Sequence, residues 1–312
     1  MKKLLPVLLA LVLGLSACGT AAPQESKTDD SVTVLAATTY PVYLFACAVT
    51  EGLDDYDVQL IIDQPVNCLH DYTLSVRDMK AIEAADVILI NGAGLESAME
   101  DALSSSGRKP VIDCSKGIEL LPASGAEHEG AVHDNGSGDP HIWMDPALAC
   151  QMTNTISDEL SRLDPSHAED FAGNAQAASS QISSCYDLCK EKLKDLSPRE
   201  IITFHDGFAY FSRAFDLTVL QSIEEEAGSE ASAREVAGII DLIRTHHLPA
   251  VFVEANGPDS TAEAIAEEIG AETPFTVGEL TMIMSPDPDH KGIDAYCAGI
   301  TRCVNAIQEA YS

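Results

Sequence analysis

Twice along this chain, short apolar runs alternate with amphipathic ones, and that repeated alternation restricts the fold more than any other feature. Over residues 32–122, strand patterns at 32–36, 58–62, 87–90 and 110–113 are separated by helix patterns. One helix, at 42–49, is opened by Pro41; another begins after Ser75 and runs to about Ala84. The Ser75 side chain can accept from the Asp78 N–H, satisfying a donor that a helix start leaves open. Val87-Ile88-Leu89-Ile90 is apolar throughout, as a strand covered on both faces requires. Asn91-Gly92-Ala93-Gly94 reads as a turn. Over 197–312 the alternation returns, with strands at 201–204, 217–220, 250–254 and 275–277. The helices there are 207–215, 232–244, 260–269 with Gly270 as its end cap, and 289–311. Between the two stretches, 146–195 is helical and splits where Asp164-Pro165 starts a new helix. The second piece, 166–196, reads as one helix on the order of 45 Å long, which suits a rigid spacer. The expectation is an α/β fold of two Rossmann-like domains with mainly parallel four-stranded sheets. The N-terminal domain covers 32–165, the linking helix 166–196 and the C-terminal domain 197–312. Ligands of such sheets sit at the carboxyl ends of strands, so two facing domains enclose a cleft.

The first residues address the chain. Lys2 and Lys3 precede an apolar run, 4–15, broken by Pro6 and Gly14; its length fits a signal h-region and falls short of a membrane span. Leu15-Ser16-Ala17-Cys18-Gly19 then resembles a bacterial lipobox, cleaved just before the thiol. Residues 1–17 are expected to be a lipoprotein signal peptide, Cys18 the lipidated residue and 18–31 a polar tether. No later segment is long and apolar enough to span a bilayer, so the lipid is the expected attachment to the outer face of the cell membrane. The chain carries 50 acids against 18 Lys and Arg. That balance disfavours nucleic acid, keeps the protein soluble and attracts cations weakly. Eight cysteines remain besides Cys18, an even set that permits disulfides in an exported protein and equally fits buried thiols. No pair of C-x-x-C units marks a zinc ribbon. Cys185 and Cys189 lie four apart on one helix face, placed to meet different partners. Nothing in the sequence calls for an oligomer, and a monomer is expected.

Nine histidines occur, and three stand at strand ends or helix starts. His70 lies in Cys68-Leu69-His70-Asp71-Tyr72, after the second strand. His141 lies in Asp139-Pro140-His141-Ile142-Trp143-Met144-Asp145-Pro146, just before a helix, and His205 follows the strand ending at Phe204. Three neutral imidazoles and one oxygen make a tetrahedral zinc set, and an adjacent carboxylate or carbonyl can fix each second ring nitrogen. Each histidine alone also fits a structural role; their corresponding places in two α/β halves favour the ligand reading. The loop 121–139 carries His128 and His133 among Glu127, Glu129 and Asp134, either a metal-gathering or a merely polar segment. His128-Glu129-Gly130-Ala131-Val132-His133 misses H-E-x-x-H by one residue, which argues against a zinc-dependent hydrolase. His246 and His247 end a helix, where cations are favoured, and read as structural. His167 and His290 read as surface.

These motifs together resemble the metal-binding lipoproteins of bacterial ABC importers that carry zinc or manganese, the zinc-uptake solute-binding family. The similarity covers nearly all of the mature chain. It is carried by Thr38-Thr39-Tyr40-Pro41-Val42-Tyr43, by Asn91-Gly92-Ala93-Gly94-Leu95-Glu96, by the run from Asp139 to Pro146, by Thr203-Phe204-His205-Asp206-Gly207-Phe208-Ala209-Tyr210-Phe211, and by Val251-Phe252-Val253-Glu254. The resemblance implies capture of a divalent metal outside the cytoplasm and delivery to an ABC permease, with no chemistry on a substrate. It places three ligands on His70, His141 and His205. The fourth, usually an aspartate, falls near Val277-Gly278-Glu279-Leu280, where Glu279 or a water would serve. Manganese-selective relatives tend to have a carboxylate at the third position; His205 there favours Zn2+ over Mn2+ by softness. A surface-adhesin role is known for some relatives, and no residues here encode a partner site for it. The long helix at 166–196 implies that metal binding reorders loops more than it swings domains.

Overall fold

The two stretches of alternation become two sheets of the same strand order. The computed structural model describes residues 32–63, 72–105, 107, 109–123, 138–223, 232–255, 257, 259–271 and 273–312. Cys18 with its leader and tether, His70, His128 and His133 lie outside the described residues. In the first half β1 (Thr33–Ala37), β2 (Tyr56–Leu60), β3 (Val87–Ile90) and β4 (Val111–Asp113) pair as β2-β1-β3-β4, all parallel. In the second, β5 (Glu200–Thr203), β6 (Thr218–Ser222), β7 (Ala250–Glu254) and β8 (Thr276–Leu280) repeat it as β6-β5-β7-β8, again parallel. Parallel neighbours need crossovers, and helices supply most of them. The crossover helices of the first sheet are α1 (Tyr40–Val49), α2 (Val76–Ala84) and α3 (Glu100–Ser105); α4 (Pro146–Leu163) and α5 (Ala168–Leu193) join the sheets. Those of the second sheet are α6 (Ala209–Ala214), α7 (Ala233–His246) and α8 (Ser260–Gly270), and α9 (Gly292–Ala310) follows the last strand. In each sheet the chain turns outward on one side of its first strand and then crosses to the other. The gaps between β1 and β3 and between β5 and β7 are therefore the places where such sheets bind ligands.

Local chemistry sets the helix starts. Ser75 and Asp78 cap α2 reciprocally, Asp78 N–H donating to Ser75 Oγ and Ser75 N–H to the Asp78 carboxylate. Ser232 and Glu235 do the same for α7. Three expectations need correction. Gly270 is the last residue inside α8 and does not cap it; Ala271 closes the helix in a right-handed conformation, so no left-handed residue is required. The left-handed cap belongs to α7, at His247 with φ of 54°. The short turn and helix over Ser97–Met99 and α3 were not expected, because a single large apolar residue, Leu103, among the six of α3 gives no apolar periodicity. His167 is not simply surface: its Nδ1 lies 2.8 Å from Asp164 Oδ2 and its ring meets Tyr56 edge-on.

The long helix α5 is packed along its length. It lies against α4, α1 and α9, burying Phe171, Ala178, Ile182 and Leu193. One core, with Phe45, Trp143, Ile182, Phe211, Phe252 and Tyr296, runs through both halves. A smaller cluster, including Ile202, Ile239 and Ile265, fills the other face of the second sheet beneath α7 and α8. Polar bonds cross between the halves too. Trp143 Nε1 donates to Met282 O at 2.7 Å, and Tyr296 Oη to Trp143 O at 2.8 Å. Among the described residues no helix is long and apolar enough to cross a membrane.

Candidate metal centre

Hydrogen bonds made by the Asp139–Pro146 motif fix the place of His141. The Asp139 carboxylate accepts from the His141 backbone N–H at 2.9 Å and lies 2.7 Å from His141 Nδ1. Both side chains are buried. The Pro140 carbonyl accepts from Asn91 Nδ2 at 2.9 Å, tying the motif to the end of β3. Trp143 anchors the turn to the second half, as above. Asp145 caps α4 by accepting from Ala147 N–H, and its other oxygen pairs with Arg213 at 3.0 Å. Asn91 is held in turn by Glu96, whose Oε1 accepts from Asn91 N–H and from Thr38 Oγ1, both at 2.7 Å. Burial pushes the Glu96 carboxyl up, although the Thr38 hydroxyl and the Asn91 and Gly92 N–H groups pull it back.

His205 arrives from the second sheet. It follows β5 in extended backbone, with φ of −165° and ψ of 143°, and its carbonyl accepts from Thr203 Oγ1. Its Nδ1 lies 3.5 Å from Glu254 Oε2 at the carboxyl end of β7, so the pair straddles the switch point of that sheet. Glu254 is buried, and burial pushes its carboxyl up to about 8. The two imidazoles meet edge to face, with ring centroids 5.4 Å apart and planes at 82°. Each has a carboxyl group facing Nδ1, at 2.7 Å for His141 and 3.5 Å for His205. A proton on Nδ1 leaves the lone pair on Nε2, the arrangement that raises imidazole basicity toward a metal ion.

Gly207 makes room for both rings. A Cβ there would fall 2.8 Å from His205 Cδ2, 3.0 Å from His141 Cδ2 and into the Met282 methyl. Both imidazoles therefore turn Cδ2 toward the same small residue, beside a thioether. Two imidazoles backed by buried carboxyl groups suit a borderline divalent cation better than a hard one. Among the described residues no three His, Cys, Asp or Glu side chains group closely enough to hold a metal ion.

Glu279 is not brought to the pair. It is exposed on β8, lining a recess of about 270 Å³ with Thr281, Asp287 and Arg302, which neither histidine lines. The ladder explains its placement: Val253 pairs with Glu279 and Glu254 with Leu280. Alternation along a strand then puts Glu279 on the face opposite Glu254 and its histidine contact. In the sequence, Glu254, Gly207 and Glu96 stand out only as parts of motifs. An acid ending an otherwise apolar strand beside the β5 end was the available signal for Glu254; the closeness of Met282 left no signal at all.

The chain matches, over residues 35–310, the family described as zinc-uptake complex component A, periplasmic. It belongs to that family. It is 28% identical to the high-affinity zinc uptake system protein ZnuA of Bacillus subtilis, over 86% of this chain and 85% of that one. It is 27% identical to the iron-binding protein YfeA of Yersinia pestis, over 80% of this chain and 78% of that one. A crystal structure of ZnuA superposes with a TM-score of 0.74 at 26% identity, covering 90% of this chain and 100% of that one. This family member is thus a metal-transport solute-binding component working outside the cytoplasm, and not an enzyme.

Proposed function

We propose that the chain captures zinc through His141, His205 and His70 and hands it to the permease of an ABC importer. The observation that carries the reading is the His141–His205 contact, each ring backed by a buried carboxyl group and drawn from a different half. His70 completes the imidazole set by its place in the sequence, with water as the fourth ligand in preference to the exposed Glu279. The reading keeps 32–165 and 197–312 as the two lobes and 166–196 as the helix between them. Lipid on Cys18 tethers a monomer to the membrane, and His128 and His133 gather metal nearby.

Isothermal titration of the metal-free protein tests it. Zinc should bind one-to-one and more tightly than manganese or iron(II). His141→Ala should weaken zinc by at least tenfold, and Glu279→Ala should leave it unchanged. Wild-type affinity in His141→Ala would sink the site. Tighter binding of manganese would overturn the metal and leave the transport role standing. Imidazole ligands bind metal only when deprotonated, so affinity should fall as the solution is made more acidic.

A further inference from the structure

We propose that Cys185 and Cys297 form a disulfide that pins α5 to α9. The seven described cysteines stand as thiols, and three of them meet where these helices pack. Cys185 Sγ lies 3.7 Å from the Cys297 carbonyl and 3.8 Å from Thr301 Oγ1, and its thiol engages those of both Cys189 and Cys297. Cys189 Sγ lies 3.7 Å from the same Thr301 hydroxyl.

Geometry chooses between the two possible partners of Cys185. Residues four apart on a helix hold their Cβ atoms about 5–6 Å apart, whereas a disulfide needs about 3.5–4.5 Å. A bridge from Cys185 to Cys189 would therefore unwind α5. Cys297 reaches from the neighbouring helix and carries no such restriction. Access points the same way. Cys185 and Cys297 are half-buried, while Cys189 is 1% exposed and closed to an incoming reagent. Cys303 is fully buried and already bonded to the Thr281 backbone.

The oxidant is a disulfide of the extracytoplasmic space, where such bonds persist. One protein thiolate attacks the incoming disulfide, forming a mixed disulfide and releasing one thiol. The second protein thiolate attacks the protein sulfur of that bond and releases the other thiol. Two protein thiols thus lose two protons and two electrons, and the incoming disulfide becomes two thiols. The Cys189 thiol lowers the Cys185 pKa, but the Cys297 contact and burial raise it more, to about 11, so exchange speeds up with pH.

The bond would join positions 112 residues apart and hold the linking helix against the C-terminal one. Its test is peptide mapping of the full chain after incubation with glutathione disulfide at about pH 8.5, acid quench and alkylation. A cross-linked Cys185–Cys297 peptide is expected, lost in Cys185→Ser and Cys297→Ser and retained in Cys189→Ser. Oxidation should raise the melting temperature of wild type and not of Cys297→Ser; Cys297→Ala serves if the serine variant does not fold. Alkylation of both cysteines after incubation, or a bridge to any other cysteine, would overturn the proposal. The readouts contain no metal, so they stand apart from the zinc assignment.

Discussion

Gly207 acts through the side chain it lacks. Its backbone is not left-handed, so alanine would strain only the space it enters. That space is bounded by His141, His205 and the Met282 methyl. Overpacking of this kind costs about 1–3 kcal/mol. Gly207→Ala should lower the melting temperature modestly and weaken zinc binding by more than that loss explains, read by calorimetry and titration on the same samples. Glu254 acts through His205. Glu254→Gln keeps the size of the side chain and removes the carboxylate, and losing such a support costs about 10–100-fold in metal affinity. An unchanged zinc titration for this variant would show that His205 is oriented without it. A metal ion on His205 would favour the ionised carboxylate that burial alone opposes.

At the scale of elements, capping shows how sequence becomes local structure. Ser75 begins α2 because its hydroxyl and the Asp78 carboxylate each satisfy a backbone N–H that the helix leaves open. Ser75→Ala should cost about 1 kcal/mol in a denaturant titration. It should leave zinc affinity alone, because α2 carries no side chain of the centre. Strand alternation works with equal force on β7 and β8. One residue of offset separates Glu254, which meets His205, from the register position of Glu279, which faces away. No smooth reading of apolar runs reveals that offset, since it depends on which residues of two strands pair.

For the whole molecule, the shared core and the bonds between halves argue for a stiff body. Asp287 belongs to that lacing: its N–H donates to Tyr40 Oη from the other half at 3.2 Å, and its carboxylate pairs with Arg302 at 2.6 Å. Burial opposes the charge, but Arg302, the Asp289 and His290 N–H groups and the His290 ring outweigh it and hold the carboxyl well below the usual range. A depressed carboxyl stabilises the fold above its unfolded pKa of about 3.9, and that contribution is lost as the pH falls through the folded value. Asp287→Asn should therefore lower the urea midpoint at neutral pH, with the deficit shrinking as the pH is lowered below about 3.9. A deficit that stayed constant with pH would mean that the charge is not what matters.

The sequence by itself determined the alternation, the two four-stranded parallel sheets and the break at Asp164-Pro165, and it singled out His141 and His205, which the fold brings together. These follow from short-range rules: periodicity, capping and proline geometry act within a few residues. Tertiary structure alone decided that α5 packs one face against three helices, that Gly207 and Met282 border both imidazoles, that Glu254 backs His205, and that Glu279 points away. Each of those depends on which distant segments pack or pair, and packing is settled by the whole chain's burial and not by any window of it.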